Sequence, residues 1–272
     1  MGTMEGQRVL LTGAAGGMGQ ILAKKLADAG ARLALLDVNA EALDCLVKEM
    51  GSTAVAVPAD ISTTDGCHIA VSAVWNAMEG VDCLINLAGI SSFCCFEEEE
   101  PAHIEKLMQV NLLAPMMLSH ALLPEMLKRK RGRIVNVGSV FGTMGFAWFT
   151  SYSTSKFGLR GFSQALRREL RDTGVTVSYI APRAIRTPIN NHAVMQMGEA
   201  TGMNMDEPED VAEKIFKAIV AEKKETYIGF PESFFARLNA VLPNMVDGAL
   251  AEQNAIAKPF AKKAPEQELD HE

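Results

Sequence analysis

Basic charge is in short supply. The 272-residue chain carries 26 Lys and Arg against 33 Asp and Glu, a net charge of -7 with a pI near 5.4. No basic excess is available to displace phosphate counterions, which argues against nucleic acid as a partner. A few local donors can still hold a small anionic ligand. No run of about 18 apolar residues is present, so no transmembrane helix is expected. The stretch MGTMEGQRV has no charged-then-apolar leader, and Gly6 stands where a myristoylation pattern wants Ser or Thr. Cysteine is scarce. Cys45, Cys67, Cys83, Cys94 and Cys95 are odd in number and lack zinc-site spacing, so no metal is expected and the thiols read as reduced, in a cytoplasmic protein. His68, His103, His120 and His271 show no ligand spacing either. Tyrosine (3) and proline (11) are outnumbered by 22 glycines, which leaves room for several glycine-dependent turns. Apolar residues, by contrast, are plentiful: 48% hydrophobic against 22% charged fits a globular protein. A chain this long buries roughly 70–75% of its unfolded surface and needs no disulfide or metal staple.

Short apolar runs alternate with longer amphipathic stretches. Strands are predicted over residues 8–13, 33–37, 54–60, 81–89, 134–139, 175–182 and 225–229. Helices are predicted over 17–29, 39–50, 65–78, 101–127, 152–172 and 208–221. Strict alternation with fully apolar strands implies an α/β fold, a parallel sheet covered on both faces. Ligands of such sheets bind at the carboxyl ends of strands, where the strand order switches. The polar punctuation falls there: Gly13, Asp37, Asp60, Asn86, Ser139 and Pro182. No internal repeat and no domain boundary precedes residue 230, so residues 1–230 are expected to form one domain.

TGAAGGMG (12–19) lies between a predicted strand and a predicted helix. Gly13 permits a sharp turn, Gly17 lets backbone approach a pyrophosphate, and Gly19 lets helix pack on strand. The helix start supplies unpaired N–H groups and a partial positive charge. Asp37 ends the second strand, 18 residues after Gly19. A carboxylate there accepts both adenosine ribose hydroxyls and repels a 2′-phosphate, which favours NAD over NADP. Arg32, the nearest base, stands earlier in the strand and is discounted.

Tyr152 and Lys156 stand four apart in Y-S-T-S-K, on one helix face. A nearby ammonium favours phenolate and is expected to lower the tyrosine pKa from near 10. The phenol can then exchange a proton with a substrate oxygen. Ser139, 13 residues earlier, is expected to point into the same crevice. Its bland role is a strand-end or helix-capping serine. Asn111 lies four residues before Pro115, which has no N–H, so the Asn111 carbonyl loses its helical partner and can hold water. That water would link Lys156 to solvent.

These residues resemble the short-chain dehydrogenase/reductase superfamily, in its shorter form of about 250 residues. TGAAGGMG matches its cofactor loop, and INLAG (85–89) resembles its Asn-Asn-Ala-Gly motif. Asn111, Ser139, Tyr152 and Lys156 occupy the catalytic tetrad positions in order and spacing. The resemblance implies a Rossmann-type, doubly wound, seven-stranded sheet of order 3-2-1-4-5-6-7. It implies hydride exchange between a nicotinamide and a carbonyl or alcohol, and a homodimer or homotetramer. Tyr152 would be the acid–base, Lys156 would hold the nicotinamide ribose, and Ser139 would orient the substrate. Gly13, Ala15, Gly17, Met18 and Gly19 would contact the cofactor phosphates. Asp60 and Ile61 would flank adenine, and Asn86, Ala88 and Gly89 would line the cofactor's centre, with Pro182 and Thr187 beside the nicotinamide. Two departures stand out. Leu87 replaces the motif's second Asn, which is expected to cost a strand-linking polar contact. Arg183 follows Pro182 where glycine is usual, and should crowd the turn or reach a substrate anion.

Residues 188–207 are expected to form a lid whose Met195, Met197, Met203 and Met205 suit an apolar substrate. Trp148 and Phe149 would add an apolar wall, and His192 reads as solvated. Residues 231–257 read as a helical extension, with Phe234, Phe235, Leu238, Val241, Leu242, Met245 and Leu250 at helical spacing and Pro243 splitting it. It could pack on the lid, contact a subunit or lie on a membrane. The polar face has few basic residues, chiefly Arg237, which disfavours the membrane. Residues 258–272 read as a frayed tail. FCCFEEEEP (93–101) reads as a loop and an acidic helix start. The leading function is an NAD-dependent alcohol dehydrogenase or carbonyl reductase. The rivals are an NADPH-linked 3-oxoacyl reductase, for which Arg129, Lys130, Arg131 and Arg133 offer a basic patch, and a non-catalytic dinucleotide-binding regulator.

Overall fold

The structure, a computed structural model, describes residues 4–239 and 241–262. Most of the expected tail, with His271, lies outside the described residues, as does the side chain of Arg237. Seven strands form one parallel sheet: β1 (Arg8–Thr12), β2 (Arg32–Asp37), β3 (Ala54–Pro58), β4 (Cys83–Asn86), β5 (Gly132–Val137), β6 (Val175–Pro182) and β7 (Glu225–Ile228). Their order is β3-β2-β1-β4-β5-β6-β7. The switch falls between β1 and β4, whose register pairs Leu11 with Ile85.

Alternate residues of each strand face opposite sides, and both sides are apolar. Leu11, Leu35, Ile85 and Ile180 pack against α1 (Gly17–Asp28) and α8 (Pro208–Val220). Leu10, Leu36, Leu84 and Ile134 pack against α3 (Thr64–Met78) and the long helix before β5. Helix α2 is Ala40–Met50. Strand β4 is shorter than the expected 81–89 because the N–H groups of Leu87 and Ala88 turn to Thr12 Oγ1 instead of the ladder, at 3.1 and 3.0 Å.

The long helix runs from α4 (Pro101–Met108) through one π-helical turn (Gln109–Leu113) into α5 (Ala114–Lys128). Pro115 does not kink it apart; the turn widens, and Ala114 N–H reaches Gln109 O. Over 101–128 this helix is long and apolar enough to cross a membrane by length and composition, unlike the shorter runs read from sequence. Leu107, Leu118, Leu122 and Met126 are nonetheless buried in the protein. Helix α6 is Thr150–Glu169 and α7, in the predicted lid, is His192–Thr201. Pro243 does split the extension, into α9 (Glu232–Asn239) and α10 (Pro243–Ala261). Helix α10 packs on α7 and continues through Pro259 to residue 261, so the expected frayed tail starts later than 258. At the α9–α10 corner Phe234, Val241, Leu242 and Met245 remain exposed.

Candidate active site

At the carboxyl ends of β1 and β2 the backbone sets the shape. Gly13 has φ +70, and a Cβ there would stand 2.7 Å from Ala88 Cα. A Cβ on Gly19 would clash with Gly13 O and stand 2.8 Å from Ala14 Cα. Only glycine at both positions lets α1 start where it does. Gly16 caps α1 without any side-chain hydrogen bond, so the first N–H groups of the helix face the cleft without a side-chain cap. Asp37 ties the loop down: its Oδ2 accepts from Ala15 N–H at 3.0 Å and its Oδ1 from Asn39 N–H at 3.1 Å. The Asp60 carboxylate accepts from Ser62, which holds it below the usual carboxylate range.

The second half of the site rises from β5 and α6. Ser139 leaves β5 extended and caps the short turn after it, its Oγ accepting from Phe141 N–H at 3.1 Å. The capping role and the expected cleft position coincide, since the hydroxyl accepts as the cap and still donates to Tyr152. Tyr179 of β6 braces this turn by donating to Ser139 O at 3.1 Å, and Gly138 and Gly142 make room for its ring. Lys156 is buried, with Nζ 3.4 Å from Val137 O and 5.7 Å from the centre of the Tyr152 ring. Burial pushes its pKa down to about 8. Burial pushes Tyr152 up to about 12, against the hydrogen bond from Ser139. This reverses the expected direction. Desolvation of the phenolate outweighs an ammonium that sits beside the ring rather than at the hydroxyl.

Asn111 is held through its side chain. It is fully buried at the π-helical turn. Its Nδ2 donates to Ile90 O (2.9 Å) and Ser155 Oγ (3.1 Å), and its Oδ1 accepts from Ile90 N–H (2.9 Å). It thereby joins the loop after β4 to α6. A Cβ on Gly89 would lie 3.3 Å from Asn111 Oδ1 and 3.4 Å from Lys156 Nζ, so the three meet at one point.

One cavity of about 640 Å³ joins both halves. Gly13, Gly17, Met18, Gly19, Asp37, Asp60, Ile61, Ala88, Gly89, Ser139, Tyr152, Lys156, Pro182 and Thr187 line it. Two predicted cofactor contacts do not. Ala15 faces Asp37, and the Asn86 side chain lies within the sheet, donating to Asn136 Oδ1 at 2.8 Å while its Oδ1 has no partner. The Asn86–Asn136 bond links β4 to β5, and Leu87 packs on the core. Trp148 turns away, donating to Asn254 O at 3.3 Å, and Phe149 alone forms the wall expected of both. His192 is exposed and outside the cavity lining.

Sequence reasoning missed the role of one residue and misassigned that of another. Glu99, read as part of an acidic helix start, accepts from Ser92 and, at 2.5 Å, from Ser151 beside Tyr152. Arg183 neither crowds the turn nor waits for a substrate anion. It donates to Asp206 at 2.6 and 3.0 Å and to Glu232 at 2.9 Å, tying the end of segment 188–207 to α9, and Gly229 leaves space for it.

The sequence pattern of the family described as short chain dehydrogenase matches residues 7–198. The chain belongs to the short-chain dehydrogenase family. Among its relatives, the ketoacyl reductase HetN of Nostoc sp. is 34% identical over 232 residues, 84% of this chain and 80% of the relative. The solved 3-ketoacyl-(acyl-carrier-protein) reductase of Brucella melitensis, complexed with NADH, is 26% identical with a TM-score of 0.74, covering 83% of this chain and 97% of that one. A metagenomic short-chain oxidoreductase solved with NADP is 30% identical with a TM-score of 0.69, covering 84% and 99%. Family members of this fold are oxidoreductases that use a nicotinamide nucleotide. The cleft here fits one: Gly13 and Gly19 of the loop admit no Cβ, the start of α1 lacks a side-chain cap, and Gly89 opens the wall beside Lys156.

Proposed function

We propose that the protein is an NAD-dependent oxidoreductase that moves hydride between NAD(H) and an apolar alcohol or ketone. The observation that carries this is the convergence of Ser139, Tyr152 and Lys156 on the cavity that also holds the glycine loop and Asp37. Bound nicotinamide supplies or accepts the hydride. The chain's own residues do the rest. Tyr152 donates its phenol proton to the substrate oxygen on reduction and accepts it on oxidation. Its raised pKa suits it to reduction, where it must arrive protonated; on oxidation it can accept only as the phenolate, which that pKa makes scarce at neutral pH. Ser139 donates a hydrogen bond to the same oxygen, with its lone pair already held by Phe141 N–H. Lys156 keeps its charge at neutral pH and holds the nicotinamide ribose. Asn111 fixes the loop that carries Gly89. The glycine-loop residues and the α1 start hold the pyrophosphate, Asp60 and Ile61 flank adenine, and Asp37 accepts the ribose hydroxyls. Exposed Val38 places no cation beside Asp37 to welcome a 2′-phosphate.

The same reading includes a homodimer or homotetramer, supported by exposed Leu113, Met116 and Phe157 on the outer faces of the long helix and α6. It includes a cytoplasmic location, supported by five free cysteines among the described residues.

The names of the two ketoacyl reductases among its relatives favour a second reading, an NADPH-linked 3-oxoacyl reductase. Against it, Arg129 is paired with Asp82 and Arg133 with Glu222, which removes half of the basic patch an acyl carrier would use. A panel of alcohols, ketones and 3-oxoacyl thioesters, read by NADH or NADPH absorbance, decides. The expected result is turnover of apolar alcohols or ketones with at least tenfold higher kcat/KM for NAD(H). Preference for NADPH and oxoacyl thioesters would replace it with the second reading.

A further inference from the structure

A second cavity, of about 270 Å³, lies behind the aromatic wall of the site. Its floor is the loop between β5 and α6, its sides are α7 and α9, and its roof is α10. Phe141, Phe149, Arg183, Ala184 and Met203 line both cavities, so the two share one wall. Tyr152 stands edge-on to that wall, 6.0 Å from the Phe141 ring and 6.4 Å from the Phe149 ring. More than half of the lining residues lie beyond residue 198, past the segment that matches the family.

We propose that this chamber binds an aliphatic chain attached to the reacting carbon, so that the substrate is a long-chain alcohol or ketone. The proposal rests on the hydride-transfer reading above. The lining chemistry selects the occupant. Met144, Met197 and Met203 adapt to an irregular flexible chain. The two charged groups that reach the chamber satisfy each other: Arg183 pairs with Asp206 and Glu232, and Glu232 also accepts from Asn204. No described lining cation is left without an anion, so a carboxylate or phosphate tail finds no partner there, whereas methylenes find apolar walls. Position supplies the attachment point: Phe141, Phe149 and Met203 line both cavities and Tyr152 stands edge-on to the two rings, so a chain that begins at the reacting carbon beside Tyr152 meets the shared wall first. Passage needs Met203 to change rotamer, which a three-torsion side chain does at little cost.

The test uses the full-length protein with a series of straight-chain 2-ketones of increasing length and NADH. Binding of the matching 2-alcohols is read in parallel by calorimetry. Two variants fill the chamber from α10: Ala257→Leu from its buried side, and Ala249→Phe from its exposed edge, where folding is least disturbed. The expected result is a kcat/KM that rises about fourfold per added methylene until the chamber is full. In either variant the long-to-short ratio falls at least tenfold and the rise stops at a shorter chain. Turnover that ignores chain length, or a ratio that both fillings leave intact, overturns the chamber's role while leaving hydride transfer standing. Chain-length-dependent binding that the fillings abolish, without turnover of any ketone, supports the chamber and overturns the hydride-transfer reading. Binding that ignores chain length, with no turnover, overturns the chamber.

Discussion

The two ends of the same sheet treat charge in opposite ways. At the amino ends of β1 and β4, Asp82 receives Arg8 and Arg129 at 2.9 and 2.7 Å. Burial alone would raise the Asp82 pKa, but those hydrogen bonds overcome it and hold the carboxyl at about 2. At the carboxyl ends, Tyr152 and Lys156 are buried with no opposite charge beside them, and both are pushed away from their charged forms. One end gains stability from its ionisable groups. The other tolerates a cost, as expected where groups are kept for chemistry rather than for folding.

The contrast breaks or sharpens under substitution. Asp82→Ala should have the largest effect, a loss of about 3 kcal/mol, because it leaves two guanidinium groups facing each other without their anion. Urea unfolding at pH 7 measures it. The contribution of Asp82 in the parent is complete above pH 4 and drains away as pH falls toward 2, since its folded value lies below the unfolded 3.8. A loss in the variant that persists unchanged at pH 2 would remove the electrostatic explanation. Lys156→Met should do the opposite and stabilise the protein by about 3 kcal/mol at pH 7 while removing activity. Below pH 8 the folded parent carries the full cost of a buried ammonium. Between pH 8 and 10.5 it releases the proton before the unfolded chain does, so the variant's advantage should vanish by pH 10.5. A destabilised variant at pH 7 would show that the cost is not there. Asp37→Ser should change stability least, within about 1 kcal/mol. It should still lower the NADH over NADPH preference at least tenfold; an unchanged ratio would separate Asp37 from cofactor choice.

Much of this was legible in the chain, for physical reasons. Fully apolar strands and capped helices are local patterns, so the seven strands fell within a few residues of their observed ends. Gly13 and Gly19 are readable because the turn needs a positive φ at Gly13 and Gly19 packs directly on Gly13 and Ala14 of the same loop. The long-range partners were not readable. Glu99 meets Ser151 across 52 residues, and Arg183 meets Glu232 across 49. Nothing in EEEE or PRAIRT encodes those meetings. The pKa of Tyr152 went the other way because spacing shows that Lys156 is near, but only packing shows how dry both are.

The central claim is that Tyr152 moves the proton beside a dinucleotide cleft, and Tyr152→Phe tests it most directly. NAD affinity by calorimetry should stay within about threefold of the parent, while turnover of the best alcohol falls at least about 100-fold. Retained turnover in a variant that binds NAD normally would contradict the account.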